Sequence, residues 1–210
     1  MPKMSWKKSF EKYAKKQAPE EACGLLAIID GKETFWPCKN LAEGKLEFFV
    51  INPDDWAECE DTGQVIGVVH SHPKGESTPS ELDVKACEQL GFPYFIYSLL
   101  DDDWQTFQPS DWNGSLIYDD NKVEESEDTN LKTIKVYGKL RQFLGKSYFK
   151  AAVKSPQQAL SFLMANFEGL QKHMNDQVYK IKMGGREITE DYLSMSGEGD
   201  IQIIPIAHGG

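Results

Sequence analysis

One stretch of this chain leaves little freedom in how it can fold. The apolar, β-branched run Gln64 to Val69 leads straight into His70-Ser71-His72-Pro73, and Asp83 follows ten residues after the proline. A run of this kind predicts a buried strand. Residues two apart on a strand share a face, so His70 and His72 point the same way and can reach one ion. Downstream, Thr78-Pro79-Ser80-Glu81 has the signature of a helix start, with Thr78 as N-cap, Pro79 at the first helical position and Glu81 three residues after the cap. Asp83 then falls near the opening turn, with Ser80 three residues before it on the same face. Strand, loop and helix must therefore meet around two imidazoles, a carboxylate and a hydroxyl. Two histidines, one carboxylate and a fourth position left for water fit a catalytic zinc site better than a closed structural one. The chain has four histidines in all, and a bare His-x-His would read as ordinary strand-end residues. The proline, the spacing to Asp83 and the placement of Ser80 favour the metal.

Hydrolysis at such a site needs a base for the metal-bound water. The segment Pro19-Glu20-Glu21-Ala22-Cys23-Gly24-Leu25-Leu26 offers Glu21, at the mouth of an apolar run from Ala22 to Ile29 that reads as a core strand. A carboxylate at the rim of a partly desolvated cleft has its pKa raised toward a useful value, whereas Glu20 faces the other way. Without the zinc motif, both would read as solvated acids closing a lysine-rich helix.

Together, Glu21-x-Cys23-Gly24, His70-Ser71-His72-Pro73, Ser80 and Asp83 resemble the JAB/JAMM (MPN-type) zinc metallopeptidases, which cleave peptide or isopeptide bonds after the C-terminal glycine of ubiquitin-like proteins. The resemblance covers the first half of the chain. It implies a mixed α/β, cytidine-deaminase-like domain in which His70, His72 and Asp83 hold Zn2+, Glu21 is general base and acid, and Ser80 helps hold the oxyanion.

Composition narrows the partners. A net charge of −10 argues against a nucleic-acid backbone, which calls for clustered Lys and Arg, and a protein partner is expected instead. The four cysteines at 23, 38, 59 and 87 form no Cys-x-x-Cys and no compact secreted framework. They read as thiols of a reducing cytoplasm, with Cys23 and Cys87 in the core; a thiol peptidase is a weak rival. The N-terminus is rich in lysine but lacks the apolar region of an export signal, and no stretch is long enough for a membrane span. Trp6, Phe10, Tyr13 and Gln17 recur at helical spacing, predicting an amphipathic helix with its aromatic face on the core.

The expected architecture is α+β in two domains: residues 1–112, an acidic linker at 113–130, and residues 131–210. Asp119, Asp120, Glu124, Glu125, Glu127 and Asp128 face one lysine in the linker and repel one another. About 18 flexible residues span roughly 25 Å, so the first domain could act on the second in cis or in trans. Before the linker, strands are expected at 22–29, 34–36, 48–51, 64–69 and 94–100, with helices at 53–61 and 79–90. After it come a strand at 131–140, a turn at 141–146, a strand at 147–153, a helix from Ser155-Pro156 with Ala159, Leu160, Phe162, Leu163, Phe167 and Leu170 recurring on one side, and strands at 178–183 and 201–206. This is the order of a ubiquitin-like β-grasp domain.

The segment IKVYGKLRQFLGKSYF and that order resemble the tail assembly protein I family of lambda-like siphophages, and the first half likewise resembles the JAB domain of the companion protein K family. The resemblance implies action in the bacterial host cytoplasm during phage assembly, possible tail-tip partners and a place in the virion tail. The chain lacks the cysteine peptidase domain usual in protein K and the glycine-rich and C-terminal parts usual in protein I. Gly209-Gly210 is then read as a substrate or product tail, since residues without Cβ pass a narrow cleft and an extended tail can add to a sheet edge. His208 belongs to that tail and not to the metal. The rivals are a non-catalytic docking protein of the tail tip and a zinc hydrolase of small molecules; the latter leaves the second domain unexplained.

Overall fold

The computed structural model describes residues 4–112, 114 and 130–210. The expected acidic linker lies almost wholly outside the described residues. The chain forms two units. One holds the described residues up to Gly114 together with Ile206–Gly210, and the other runs from Asn130 to Pro205.

In the first unit, helix α1 (Trp6–Gln17) is capped by the Ser5 side chain and buries Phe10 and Ala14. Its aromatic face meets Phe35, Phe95, Tyr97 and Trp104, mostly edge to face. Then follow β1 (Cys23–Ile29), β2 (Lys32–Cys38), β3 (Phe49–Val50), α2 (Pro53–Thr62), β4 (Gln64–His72), α3 (Glu81–Leu90), β5 (Tyr94–Ser98) and β6 (Asp103–Phe107). Five of the strands form one mixed sheet in the order β2-β1-β4-β5-β6, with β4 and β5 parallel and the other pairs antiparallel. β4 lies centrally, which is why its residues 65 and 67–71 are buried. The layout is α+β, as expected.

Two sequence expectations for this unit need correction. The metal helix begins at Glu81, not at Pro79, and its N-cap is Ser80, not Thr78. Ser80 Oγ accepts from Asp83 N at 3.0 Å while the Asp83 carboxylate accepts from Ser80 N at 3.1 Å, a reciprocal capping box. The strand β6 is not among the expected elements, because Asp103-Trp104-Gln105-Thr106-Phe107 has no continuous apolar run and is mostly exposed.

The second unit comprises β7 (Lys132–Val136), α4 (Lys139–Leu144), β8 (Tyr148–Ala151), α5 (Pro156–Asn166), α6 (Leu170–Asn175), β9 (Tyr179–Met183), β10 (Arg186–Glu187), a 3-10 turn at Glu190–Tyr192 and β11 (Ile201–Pro205). Its sheet has the order β10-β9-β11-β7-β8, and the central pair β7 and β11 is parallel. Residues 137–140 do not continue the strand, and 139–144 are helical rather than a turn. Gly138 and Gly145 both take positive φ and bracket α4, whose Leu140 and Leu144 enter a core with Ile134, Phe149, Leu163, Leu170 and Ile203. Leu170 sits on its own helix, α6, and not on α5.

After Pro205 the chain returns to the first unit. His208–Gly209 (β12) pairs antiparallel with β3, His208 opposite Val50 and Gly209 opposite Phe49.

Candidate metal centre

Register brings the site together. Cys23 is paired with His70 across the β1–β4 ladder, and Ala22 and Ser71 bond each other, Ser71 N to Ala22 O at 3.0 Å and Ala22 N to Ser71 Oγ at 2.9 Å. One step further along this antiparallel pair, Glu21 faces His72. Glu21, His70 and His72 each offer a ligand atom within 4.8 Å of the others'. From the opposite side α3 supplies Asp83, whose Oδ1 lies 3.1 Å from His70 Nε2 and whose Oδ2 lies 3.2 Å from His72 Nε2. Glu21, His70 and Asp83 are buried, and Glu20 is exposed.

The polar atoms converge without enough protons to satisfy them. His72 Nδ1 donates to the Glu76 carbonyl at 2.6 Å, which turns Nε2 toward the site. That nitrogen faces two oxygens, Asp83 Oδ2 and Gly210 O, both at 3.2 Å. His70 Nε2 lies near Asp83 but misses hydrogen-bond alignment, and it and Glu21 Oε2 are buried without a hydrogen-bond partner. Such groups are costly unless a cation or proton lies among them. Ligand atoms about 2.0–2.1 Å from a tetrahedral zinc stand roughly 3.3 Å apart, close to the spacings between Asp83 and each imidazole. The donor set fits zinc.

The two carboxylates differ in their acidity. Burial raises Glu21, with Asp83 and Glu47 adding to the shift and His72 opposing it, and the result is a pKa of about 8. Burial acts upward on Asp83 as well, but the two imidazoles beside it, His70 foremost, and the Gly210 amide hold it well below the usual carboxylate range. Burial lowers His70, against the pull of Asp83, and keeps its ring neutral, as a metal ligand must be. Two carboxylates pushed apart in this way divide into a proton carrier and a permanent anion.

The tail residues come to the same place. Gly210 O accepts from Ser80 Oγ at 2.7 Å, and Gly210 N donates to Asp83 Oδ1 at 2.9 Å. Upstream, Ile51 N donates to Ala207 O at 2.9 Å and Tyr94 Oη donates to His208 O at 2.6 Å. A Cβ at Gly209 would meet Asp83 Oδ1 at 2.5 Å and the Phe49 ring at 2.6 Å, and one at Gly210 would meet Glu47 O at 2.8 Å. The cleft is thus shaped for two glycines. Sequence reasoning does not mark Tyr94, Phe49 or Glu76 as site residues. Tyr94 and Phe49 look like ordinary strand aromatics, and Glu76 acts through its backbone oxygen, which leaves no signal in residue type.

All four cysteines are free and buried. Burial pushes Cys23 and Cys38 well above the ordinary thiol value and Cys59 and Cys87 up to about 12, so none is poised as a nucleophile.

The family of prokaryotic homologs of the JAB domain matches residues 5–113. This chain belongs to the JAB family. It is 39% identical over 97 residues to the tail tip assembly protein K of Escherichia phage N15, a match covering 46% of this chain and 40% of that protein. It is 32% identical over 97 residues to the CysO-cysteine peptidase of Mycobacterium tuberculosis, covering 42% of this chain and 66% of that one. In both cases the JAB chain spans less than two thirds of the relative. Among solved structures, a JAB1/MPN domain protein from Archaeoglobus fulgidus is 22% identical, with a TM-score of 0.34 over 50% of this chain and 84% of that chain. A protein from Desulfitobacterium hafniense is 24% identical, with a TM-score of 0.40 over 50% and 86%.

Proposed function

We propose that this JAB-family protein is a zinc-dependent peptidase that cleaves after the C-terminal glycine of a ubiquitin-like domain, its own or a partner's, in phage tail assembly. The observation that carries the reading is the Gly210 carbonyl oxygen, 2.7 Å from Ser80 Oγ and 3.2 Å from His72 Nε2. A substrate carbonyl would need this position. The reading of residues 131–205 as a ubiquitin-like β-grasp rests on the strand order, with β7 and β11 parallel at the centre of the sheet. The phage setting rests on the likeness to protein K, and it implies the host cytoplasm, with tail-tip proteins as partners. Among the described residues no helix is long and apolar enough to cross a membrane.

His70, His72 and Asp83 would hold the ion. When bound, zinc supplies an acidified water and polarises the carbonyl it faces. Glu21, with its raised pKa, would accept a proton on its carboxylate and hand it to the leaving amine. The Ser80 hydroxyl donates to the carbonyl oxygen as negative charge develops there. The edge of β3 and the Tyr94 hydroxyl hold the tail extended, and the walls at Phe49, Asp83 and Glu47 admit glycine alone.

The test is intact-mass spectrometry of the chain extended past Gly210 by a short peptide, with zinc. We expect release of the extension by the wild type, and a loss of about 10²–10⁴-fold in Glu21→Ala with one zinc per chain retained. Loss of zinc in Glu21→Ala would make Glu21 a ligand and the proton role untenable. No release by any zinc-loaded protein would favour a docking role at the tail tip.

A further inference from the structure

We infer that the resident ligand of this cleft is the chain's own segment Ile206–Gly210, bound in cis, so that a Gly-Gly tail offered by another molecule has to displace it first. The inference rests on the peptidase reading only for what the cleft does next; the occupancy itself rests on contacts. Four hydrogen bonds tie the segment's backbone to the first unit: Ile51 N to Ala207 O, Tyr94 Oη to His208 O, Gly210 N to Asp83 Oδ1, and Ser80 Oγ to Gly210 O. The β12–β3 pairing adds to them. Backbone groups are addressed at 207, 208 and 210, and the two places where a Cβ would collide, 209 and 210, are glycines. Ala207 is 1% exposed and Gly209 is buried, so the segment lies in the cleft and not across its rim.

Covalent connection decides the competition. The tail is joined to the unit that holds the cleft through the second unit, which ends at Pro205, so tail and cleft belong to one molecule. A ligand tethered within one molecule acts at an effective concentration of about millimolar. An identical peptide free at micromolar concentration is then outcompeted by roughly 10²–10³-fold. The protein would act on its own tail before any other, and foreign tails would enter only when this one leaves.

The experiment compares the zinc-loaded full chain with its Gly209→Val variant. The valine side chain collides with Asp83 and Phe49 and expels the tail while leaving the cleft intact. A fluorescein-labelled peptide Ile-Ala-His-Gly-Gly, followed by anisotropy, is expected to bind the variant at least about tenfold more tightly than the wild type. In parallel, the amides of Ile51 and Gly210 should be protected from hydrogen exchange in the wild type and exchange freely in Gly209→Val. Equal peptide affinity for the two proteins would overturn the inference, and so would a variant whose tail exchanges freely yet takes no peptide. The peptidase reading fails separately. If the discrimination holds but no extension past Gly210 is ever cut, cis occupancy stands without catalysis; if extensions are cut while both proteins bind the peptide equally, catalysis stands without it.

Discussion

Each unit is built on a five-stranded sheet, yet the polar groups they bury differ in kind. In the first, Glu21, His70 and Asp83 lie in the interior, with His72 partly covered beside them. In the second, the buried polar residues are hydroxyls, Thr133, Ser147 and Ser155, and Ser155 caps α5. Its nearest counterpart to the histidines, His173, is only part-buried and stacks on Phe143 with centroids 4.5 Å apart. A buried hydroxyl that finds a partner is close to neutral for stability. A buried carboxylate or imidazole lacking one costs several kcal/mol. The lesson is that the first unit tolerates a poor local arrangement at one place, and such places belong to function. The second unit holds a milder instance, the His173 ring, whose Nε2 is buried without a hydrogen-bond partner.

Breaking the contrast at Ser80 should have the largest effect. Ser80 both caps α3 and donates to the Gly210 carbonyl. Ser80→Ala is expected to slow release of a C-terminal extension by about 10²–10³-fold, the usual effect of losing one oxyanion donor, and to cost about 1 kcal/mol through the cap. Ser80→Gly separates the two roles. Glycine caps nearly as well as serine but has no hydroxyl, so stability in urea should recover most of its loss while the rate stays low. Recovery of rate along with stability would show Ser80 to be a cap alone.

Much of this site is legible in the sequence because its elements obey short-range rules. Period two sets His70 and His72 on one face, and the apolar run after Glu21 marks it as a strand mouth. The expected helix start slips by two residues because Thr78-x-x-Glu81 and Ser80-x-x-Asp83 both satisfy the capping-box pattern, and only the reciprocal bonds of Ser80 and Asp83 decide between them. Lys139–Leu144 is easily mistaken for strand and turn, since its leucines at 140 and 144 fit a helix turn that only the flanking positive-φ glycines make apparent. β12 carries no strand signal of its own, and only the expectation of a tail adding to a sheet edge anticipates it. Two residues ending in glycine have no strand propensity, and their pairing is supplied by the β3 edge from about 160 residues away in the chain.

Zinc should sharpen the contrast at a somewhat smaller scale. An ion bound only by the folded first unit stabilises it by RT ln(1 + [Zn]/Kd), about 2.7 kcal/mol at a hundredfold excess over Kd. In calorimetry, saturating zinc is expected to move the unfolding of the first unit upward and leave that of the second in place. Chelation reverses the shift. The substitution His70→Ala should abolish it, since His70 faces Asp83 from full burial with a ring nitrogen that has no other partner. A shift that survives in His70→Ala would mean the ion binds elsewhere.

The smallest change tests the second unit's independence. Ile203 is fully buried in β11, between β7 and β9, and its side chain enters the core formed with Ile134 and Leu163. Ile203→Val removes one methylene from a packed interior, at a cost of about 0.5–1.5 kcal/mol. For a unit of this size each kcal/mol lowers the midpoint by about 4–8 °C, so the loss is measurable in the second transition. Zinc content and the zinc-induced shift of the first unit should be unchanged, because Glu21, His70, His72, Ser80 and Asp83 all lie outside β7 to β11. A fall in zinc affinity would tie the two units thermodynamically and make the stability of the second part of the site's own machinery.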